Sequence, residues 1–83
     1  MKRSQDFEKL ISCTVYNNKQ EFLEILETST IDINIKGAKG WTLLHYAAQY
    51  LAVEIGQILI SKGANINAKD IYGNNVFMEG YFL

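Results

Sequence analysis

The chain holds one histidine, His45, and one cysteine, Cys13, the two side chains from which a thiolate nucleophile and its base could be assembled. That chemistry requires thiol and imidazole within hydrogen-bond reach, with a third group orienting the base. Laid on the 33-residue period described below, Cys13 falls opposite Tyr46, one position past His45, and no pairing of the two follows. Glu21, Glu24 and Glu27 form a second set, a row of carboxylates of the sort used for metal binding or acid–base work. They are interleaved with Phe22, Ile25 and Leu26 at helical spacing, the pattern of a solvent-facing stripe opposite an apolar one. One His and one Cys do not complete a four-ligand zinc site. Gly37-Ala38-Lys39-Gly40 lacks the glycine spacing of a phosphate loop. No catalytic residue, metal site or cofactor is expected, and the chain reads as a protein that is not an enzyme.

Charge and composition narrow the remaining classes. Eight Lys and Arg stand against nine Asp and Glu, a formal net charge of -1, which gives no general attraction for nucleic acid or anionic lipid. Lys36, Lys39, Lys62 and Lys69 read as ordinary charges on turns and helix ends. A hydrophobic fraction of 48% with 20% charged residues is that of a folded domain. A chain of 83 residues makes one domain at most, hiding roughly 60 to 65% of its unfolded surface. The start, MKRSQDFEKL, carries charges where a secretory segment is apolar, and no run approaches the roughly 20 apolar residues that cross a bilayer. With no disulfide open to Cys13, an intracellular, cytoplasmic location is expected.

The elements that would carry these residues repeat themselves. Asn34-Ile35-Lys36 recurs as Asn67-Ala68-Lys69, and Gly40 as Gly73, a spacing of 33 residues. A unit of that length is too small to bury its own apolar face and must stack on a copy. In the central copy, Thr42 is the expected N-cap of a short helix with Leu43, Leu44, Ala47 and Ala48 on one side and Tyr46, Gln49 and Tyr50 toward the other. A second helix is expected over Val53 to Lys62, with Ile55, Ile58 and Leu59 inward and Gly63 as its stop. In the first copy Leu10, Ile11 and Val15 stand for Leu43, Leu44 and Ala48, and Phe22, Ile25 and Leu26 for Ile55, Ile58 and Leu59. Asp32 to Gly40 and Asn65 to Gly73 read as projecting turns. Asn18 is the expected left-handed residue between the first two helices. Its counterpart Leu51 would be penalised there by roughly 1 to 2 kcal/mol, and Gly56 costs its helix about 1 kcal/mol.

Over Thr42-Leu43-Leu44-His45-Tyr46-Ala47-Ala48, followed by Gly63 to Asp70 and Gly73, the sequence resembles the ankyrin repeat, with its T-P-L-H-x-A signature. Thr42, Leu44, His45 and Ala47 keep the family's places, Leu43 stands where proline is usual, and Glu54, Leu59, Gly63, Ala64 and Asn67 also match. The resemblance runs from about Leu10 to Tyr81 and is densest over residues 32 to 73. It implies an all-α ankyrin-repeat solenoid, stacked helix-turn-helix units with β-turn fingers roughly perpendicular to them. The units would be about 7–34, degenerate; 40–69, the best formed, preceded by a finger at 35–39; and 73–83, incomplete. It further implies that His45 bonds back toward Thr42 and across to the adjacent finger. The implied function is a protein-binding module that engages an unidentified protein through the finger tips and the exposed side of the first helices, with no cofactor.

Trp41, Tyr46, Tyr50 and Tyr72 occupy positions that vary in such a repeat, where aromatics either anchor an interface or pack incidentally. Ile71 and Asn74 lie 33 residues after Ala38 and Trp41 and would extend the same surface. Lys39 lies beside it, a group for steering more than for affinity. Two other readings stay open. The chain could be the remnant of a longer array, or a small scaffold that self-associates through its incomplete last unit, with Phe77, Tyr81, Phe82 and Leu83 as the apolar end. Three units are usually needed for a stable stack, so stability is expected to be only a few kcal/mol. Urea unfolding of a verified monomer checks this, and a value above about 5 kcal/mol contradicts it.

Overall fold

The structure is a computed structural model that describes residues 2–76, with side chains from residue 5 onward. Four α-helices form two hairpins: α1 (Lys2–Val15) with α2 (Lys19–Thr28), and α3 (Leu43–Gln49) with α4 (Val53–Ser61). A 3-10 turn, Ala38–Gly40, sits in the first finger, and among the described residues a single antiparallel bridge, Lys69 to Asn75, closes the second. The apolar end, Phe77, Tyr81, Phe82 and Leu83, lies outside the described residues.

Local chemistry sets the helix limits. Thr42 caps α3: its Oγ1 accepts the His45 N–H at 3.4 Å while the His45 Nδ1 accepts the Thr42 N–H at 3.1 Å, a capping box with histidine in the place usually taken by Glu or Gln. Asn18 caps α2, its Oδ1 accepting the Glu21 N–H at 3.3 Å. Three helix ends use the same closure, with one residue in the left-handed region and two backbone bonds folding back. Gly63 (φ 91°) ends α4, with Ala64 N–H to Leu59 O at 2.9 Å and Gly63 N–H to Ile60 O at 3.0 Å. Asn17 (φ 56°) ends α1, with Asn18 N–H to Cys13 O at 2.7 Å and Asn17 N–H to Thr14 O at 3.2 Å. Leu51 (φ 57°) ends α3, with Ala52 N–H to Ala47 O at 2.9 Å and Leu51 N–H to Ala48 O at 3.4 Å.

This moves one expectation by a residue. Asn17, not Asn18, is left-handed; Asn18 is at φ -90° and serves as the cap of α2. The turns of the two hairpins therefore stand 34 residues apart, while the fingers keep 33. The ten-residue α2 against the nine-residue α4 absorbs the difference. Leu10 thus corresponds to Leu44, Cys13 to Ala47 and Thr14 to Ala48, all buried, in place of the pairings of Leu10 with Leu43 and Cys13 with Tyr46. Leu51 is left-handed as expected, and its Cβ makes that turn cost roughly 1 to 2 kcal/mol more than Gly.

α1 packs on α3 and α2 on α4, so the two hairpins lie side by side. Their shared core is Leu10, Cys13, Phe22 and Ile31 from the first unit, Leu43, Leu44, Ala47, Ala48, Ala52, Ile55 and Leu59 from the second, and Val76 from the segment after it. Ile11, Ile25 and Ile58 pack against this cluster, as stacking requires. The fully buried Ala47, Ala48 and Ala52 explain why the motif wants small residues, since side-chain size at the contact sets how near two helices come. The buried Thr14 hydroxyl donates to Leu10 O at 2.8 Å and costs little.

The fingers repeat too. Asp32 Oδ1 accepts the Asn34 N–H and Asn65 Oδ1 the Asn67 N–H, both at 2.9 Å. Gly40 (φ 70°) and Gly73 (φ 80°) supply the reverse turns. Gly37 is needed for room instead, because a Cβ there would fall 2.6 Å from Phe7 Cε2. Gly37→Ala is expected to cost about 1 to 3 kcal/mol in urea unfolding. The penalty should disappear in a Phe7→Leu background, which lacks the clashing ring edge, and an equal penalty in both backgrounds would place the cause elsewhere.

Candidate protein-binding face

The first turn of α3 and the second finger meet through one histidine and one tryptophan. His45 Nδ1 accepts from the Thr42 backbone N–H, so that nitrogen carries no proton and the Nε2–H donates to Asn74 O at 3.2 Å. The Thr42 hydroxyl lies 2.9 Å from the same Nδ1. One ring nitrogen closes the cap of its own helix and the other holds that unit to the next finger, so both are engaged in structure. Cys13 is buried at 4% exposure. Desolvation pushes its thiol up from the ordinary 9.0, and the Glu21 carboxylate, through its charge and a hydrogen bond, pushes it further against a smaller opposing backbone contact. A thiol held protonated at neutral pH is a poor nucleophile. Among the described residues, no group of three or more His, Cys, Asp and Glu is placed to hold a metal ion.

Trp41 is wedged between these parts. Its ring stacks on His45 with centroids 6.1 Å apart and meets Tyr46 edge-on at 5.0 Å. Its Nε1–H donates to Asp70 Oδ2 at 3.1 Å. The Lys39 ammonium lies 5.3 Å from the ring centroid, within cation–π range. Asp70 Oδ1 in turn accepts the N–H groups of Tyr72 and Asn74, each at 2.9 Å, so one carboxylate shapes the second finger and fastens it to Trp41. Desolvation by itself would lift the Asp70 carboxyl. The N–H groups of Asn74 and Tyr72, then the Trp41 indole, outweigh it and hold the group below its ordinary 3.8.

Lys39, Trp41, Tyr46, Ile71, Tyr72 and Asn74 are thereby brought to one surface. Ile71 N–H donates to Lys39 O at 3.0 Å, and Gly40 lies so close to Ile71 that a Cβ would sit 3.1 Å from the Ile71 nitrogen. Ile71 and Tyr72 project at 69% and 71% exposure. Asn74 joins through its backbone carbonyl. Tyr50 lies one turn beyond Tyr46, where its N–H donates to Tyr46 O at 3.0 Å, at the opposite end of α3 from Trp41. Sequence reasoning passed over Asp70. The available signal was its place four residues before Asn74, which matches the four residues from Trp41 to His45, so that both cross-unit contacts span 29 residues.

Helix hairpins stacked side by side with β-turn fingers define a class of repeat protein, and the sequence comparisons agree. A family profile of ankyrin repeats in three copies matches residues 3–70. The chain belongs to the ankyrin repeat family, whose repeats are protein-interaction modules. It is 40% identical over 53 residues to a delta-latroinsectotoxin-Lt1a of Latrodectus tredecimguttatus, covering 64% of this chain and 4% of the toxin. It is 32% identical over 59 residues to the E3 ubiquitin-protein ligase Ufd4 of Drosophila melanogaster, covering 71% of this chain and 2% of the ligase. The chain thus spans a few per cent of the length of either relative. Among the described residues, no helix is long and apolar enough to cross a membrane.

A carboxylate depressed by folding stabilises the seam at and above its ordinary range, and that contribution is lost as pH falls through the lowered folded value. Trp41 is the chain's only tryptophan and reports on it. The difference in its emission between wild type and Asp70→Ala is expected to be present at neutral pH, to persist down to 3.8 and to vanish only below. A difference already lost above about pH 4 contradicts the clamp.

Proposed function

We propose that this chain is a non-catalytic recognition module that binds a protein partner through the face built by Lys39, Trp41, Tyr46, Ile71, Tyr72 and Asn74, with Tyr50 at its margin. The observation that carries the reading is the pairing of a fixed base with projecting tips. Trp41 is held by Asp70, His45 and Tyr46, whereas Ile71 and Tyr72 stand free of the core beside it.

Rigid aromatic and aliphatic groups lose little freedom when they are covered, and that keeps the ordering cost of binding low. Ile71 and Tyr72 are the expected anchors, and Lys39 adds attraction for an acidic rim on the partner. Trp41 serves as the wall of the site more than as its probe, since removing it would also detach the second finger.

The test uses Ile71→Glu and Tyr72→Glu, which touch no core. Each should leave the circular dichroism spectrum unchanged and weaken capture of whatever protein the wild-type chain retains from its native lysate by about 30-fold or more. Retention of that protein equal to wild type by both variants would remove this face from consideration.

A further inference from the structure

The two fingers carry a charge pattern that the rest of the chain does not share. Residues 32–40 and 65–73 hold three lysines, Lys36, Lys39 and Lys69, against two aspartates, while the remainder holds five Lys and Arg against seven Asp and Glu. Both aspartates are turned to their own fingers. Asp32 Oδ1 accepts the Asn34 N–H, and Asp70 engages Trp41, Tyr72 and Asn74 with its two oxygens. The three lysines are exposed, and among the described residues none of them makes an ion pair.

Two of these ammonium groups are held in place. Lys36 Nζ donates to Lys69 O at 3.0 Å, which sets it beside the lysine occupying its own position in the next unit and leaves N–H donors for a ligand. Lys39 lies over the Trp41 ring. It does so from a left-handed backbone, φ 62°, that Gly or Asn would adopt with less strain, so the turn gives up stability where it keeps a long cationic side chain. Ile71 joins the two positions. Its N–H donates to Lys39 O, and it stands two residues after Lys69, so the exposed pair Ile71 and Tyr72 is tied to one lysine across the fingers and preceded by another along the chain.

We propose that the partner's docking segment is an acidic peptide, with its carboxylates on Lys39, Lys36 and Lys69 and an aliphatic or aromatic side chain on Ile71 and Tyr72. With the finger face as the binding surface, on which this assignment depends, the three ammonium groups choose the ligand. A basic or neutral segment would cover them without supplying a counter-charge, and burying an unpaired charge is costly. Nucleic acid and anionic lipid offer the same sign of charge, but an extended polyanion also meets the chain's net charge of -1, whereas a short peptide meets the fingers alone.

The test presents the immobilised full chain with a pool of ten-residue peptides, random at every position, and sequences what is retained. Asp and Glu should be enriched over Asn and Gln by about threefold or more, beside an aliphatic or aromatic residue, and the acidic enrichment should fall as salt is raised from about 0.05 to 0.5 M. A Lys39→Gln, Lys69→Gln double variant, which leaves every finger hydrogen bond in place, should lose the acidic enrichment and keep the apolar one. Apolar enrichment without acidic enrichment in the wild type overturns the acidic ligand and leaves the face standing. The same acidic peptides held equally by an Ile71→Ser, Tyr72→Ser double variant would instead remove the face itself. Acidic enrichment that survives the loss of both lysines overturns the proposal, as does a retained pool no different from the input. A 20-nucleotide single-stranded DNA or phosphatidylserine vesicles held as well as the acidic peptides would overturn it in favour of a general polyanion surface.

Discussion

Neither helix hairpin of this chain has an interior of its own, so the seam between the two is what the structure depends on. The apolar half of that seam is the cluster from Leu10 and Phe22 to Leu44 and Leu59, shared between units. Its polar half is a series of hydrogen bonds that each run from the first unit, or the start of α3, to the following finger. Asn34 Oδ1 accepts the Asn65 N–H at 2.7 Å, and Lys36 Nζ donates to Lys69 O at 3.0 Å. Trp41 reaches Asp70 and His45 reaches Asn74. Burial supplies most of the driving force and is indifferent to direction. The hydrogen bonds are directional and fix the angle at which the finger leaves the helices.

That division explains the character of the recognition face. His45 and Trp41 would be obvious choices for chemistry or for direct contact, yet each is occupied in holding the second finger. The groups left to meet a partner are the ones this framework lifts into solvent, Ile71 and Tyr72 foremost. A residue can matter for binding by fixing the height and tilt of its neighbours, and Asp70 does so by accepting three hydrogen bonds on one carboxylate. Leu51 shows the opposite relation, a residue that burdens its own turn and gains nothing from the core beneath it.

Much of this was legible in the chain. The 33-residue recurrence, the Thr42 cap, the Gly63 stop and the Leu43, Leu44, Ala47, Ala48 stripe all report local preferences, and each is where the spacing puts it. The resemblance supplied the role of His45. The one-residue shift in the first unit was not legible, because Asn17 and Asn18 are the same residue type and either could take the left-handed position. Hydrogen bonding of Cys13 O and Thr14 O decided between them. Asp70 was invisible as a clamp because its three partners come from Trp41, Tyr72 and Asn74, and nothing local in the sequence of a turn says which distant indole will lie above it.

The sequence by itself determined the repeat length, the Thr42 cap, the Gly63 stop, the inward stripe and the family, since all of these depend on neighbours within about one turn or on a period that can be counted. Tertiary structure alone decided which of the aromatic residues became framework and which became surface. That choice depends on what lies across the seam. Trp41 and Tyr72 are both aromatic residues at variable positions, but the indole N–H found the Asp70 carboxylate and its ring found His45, while the Tyr72 side chain stayed exposed at the finger tip.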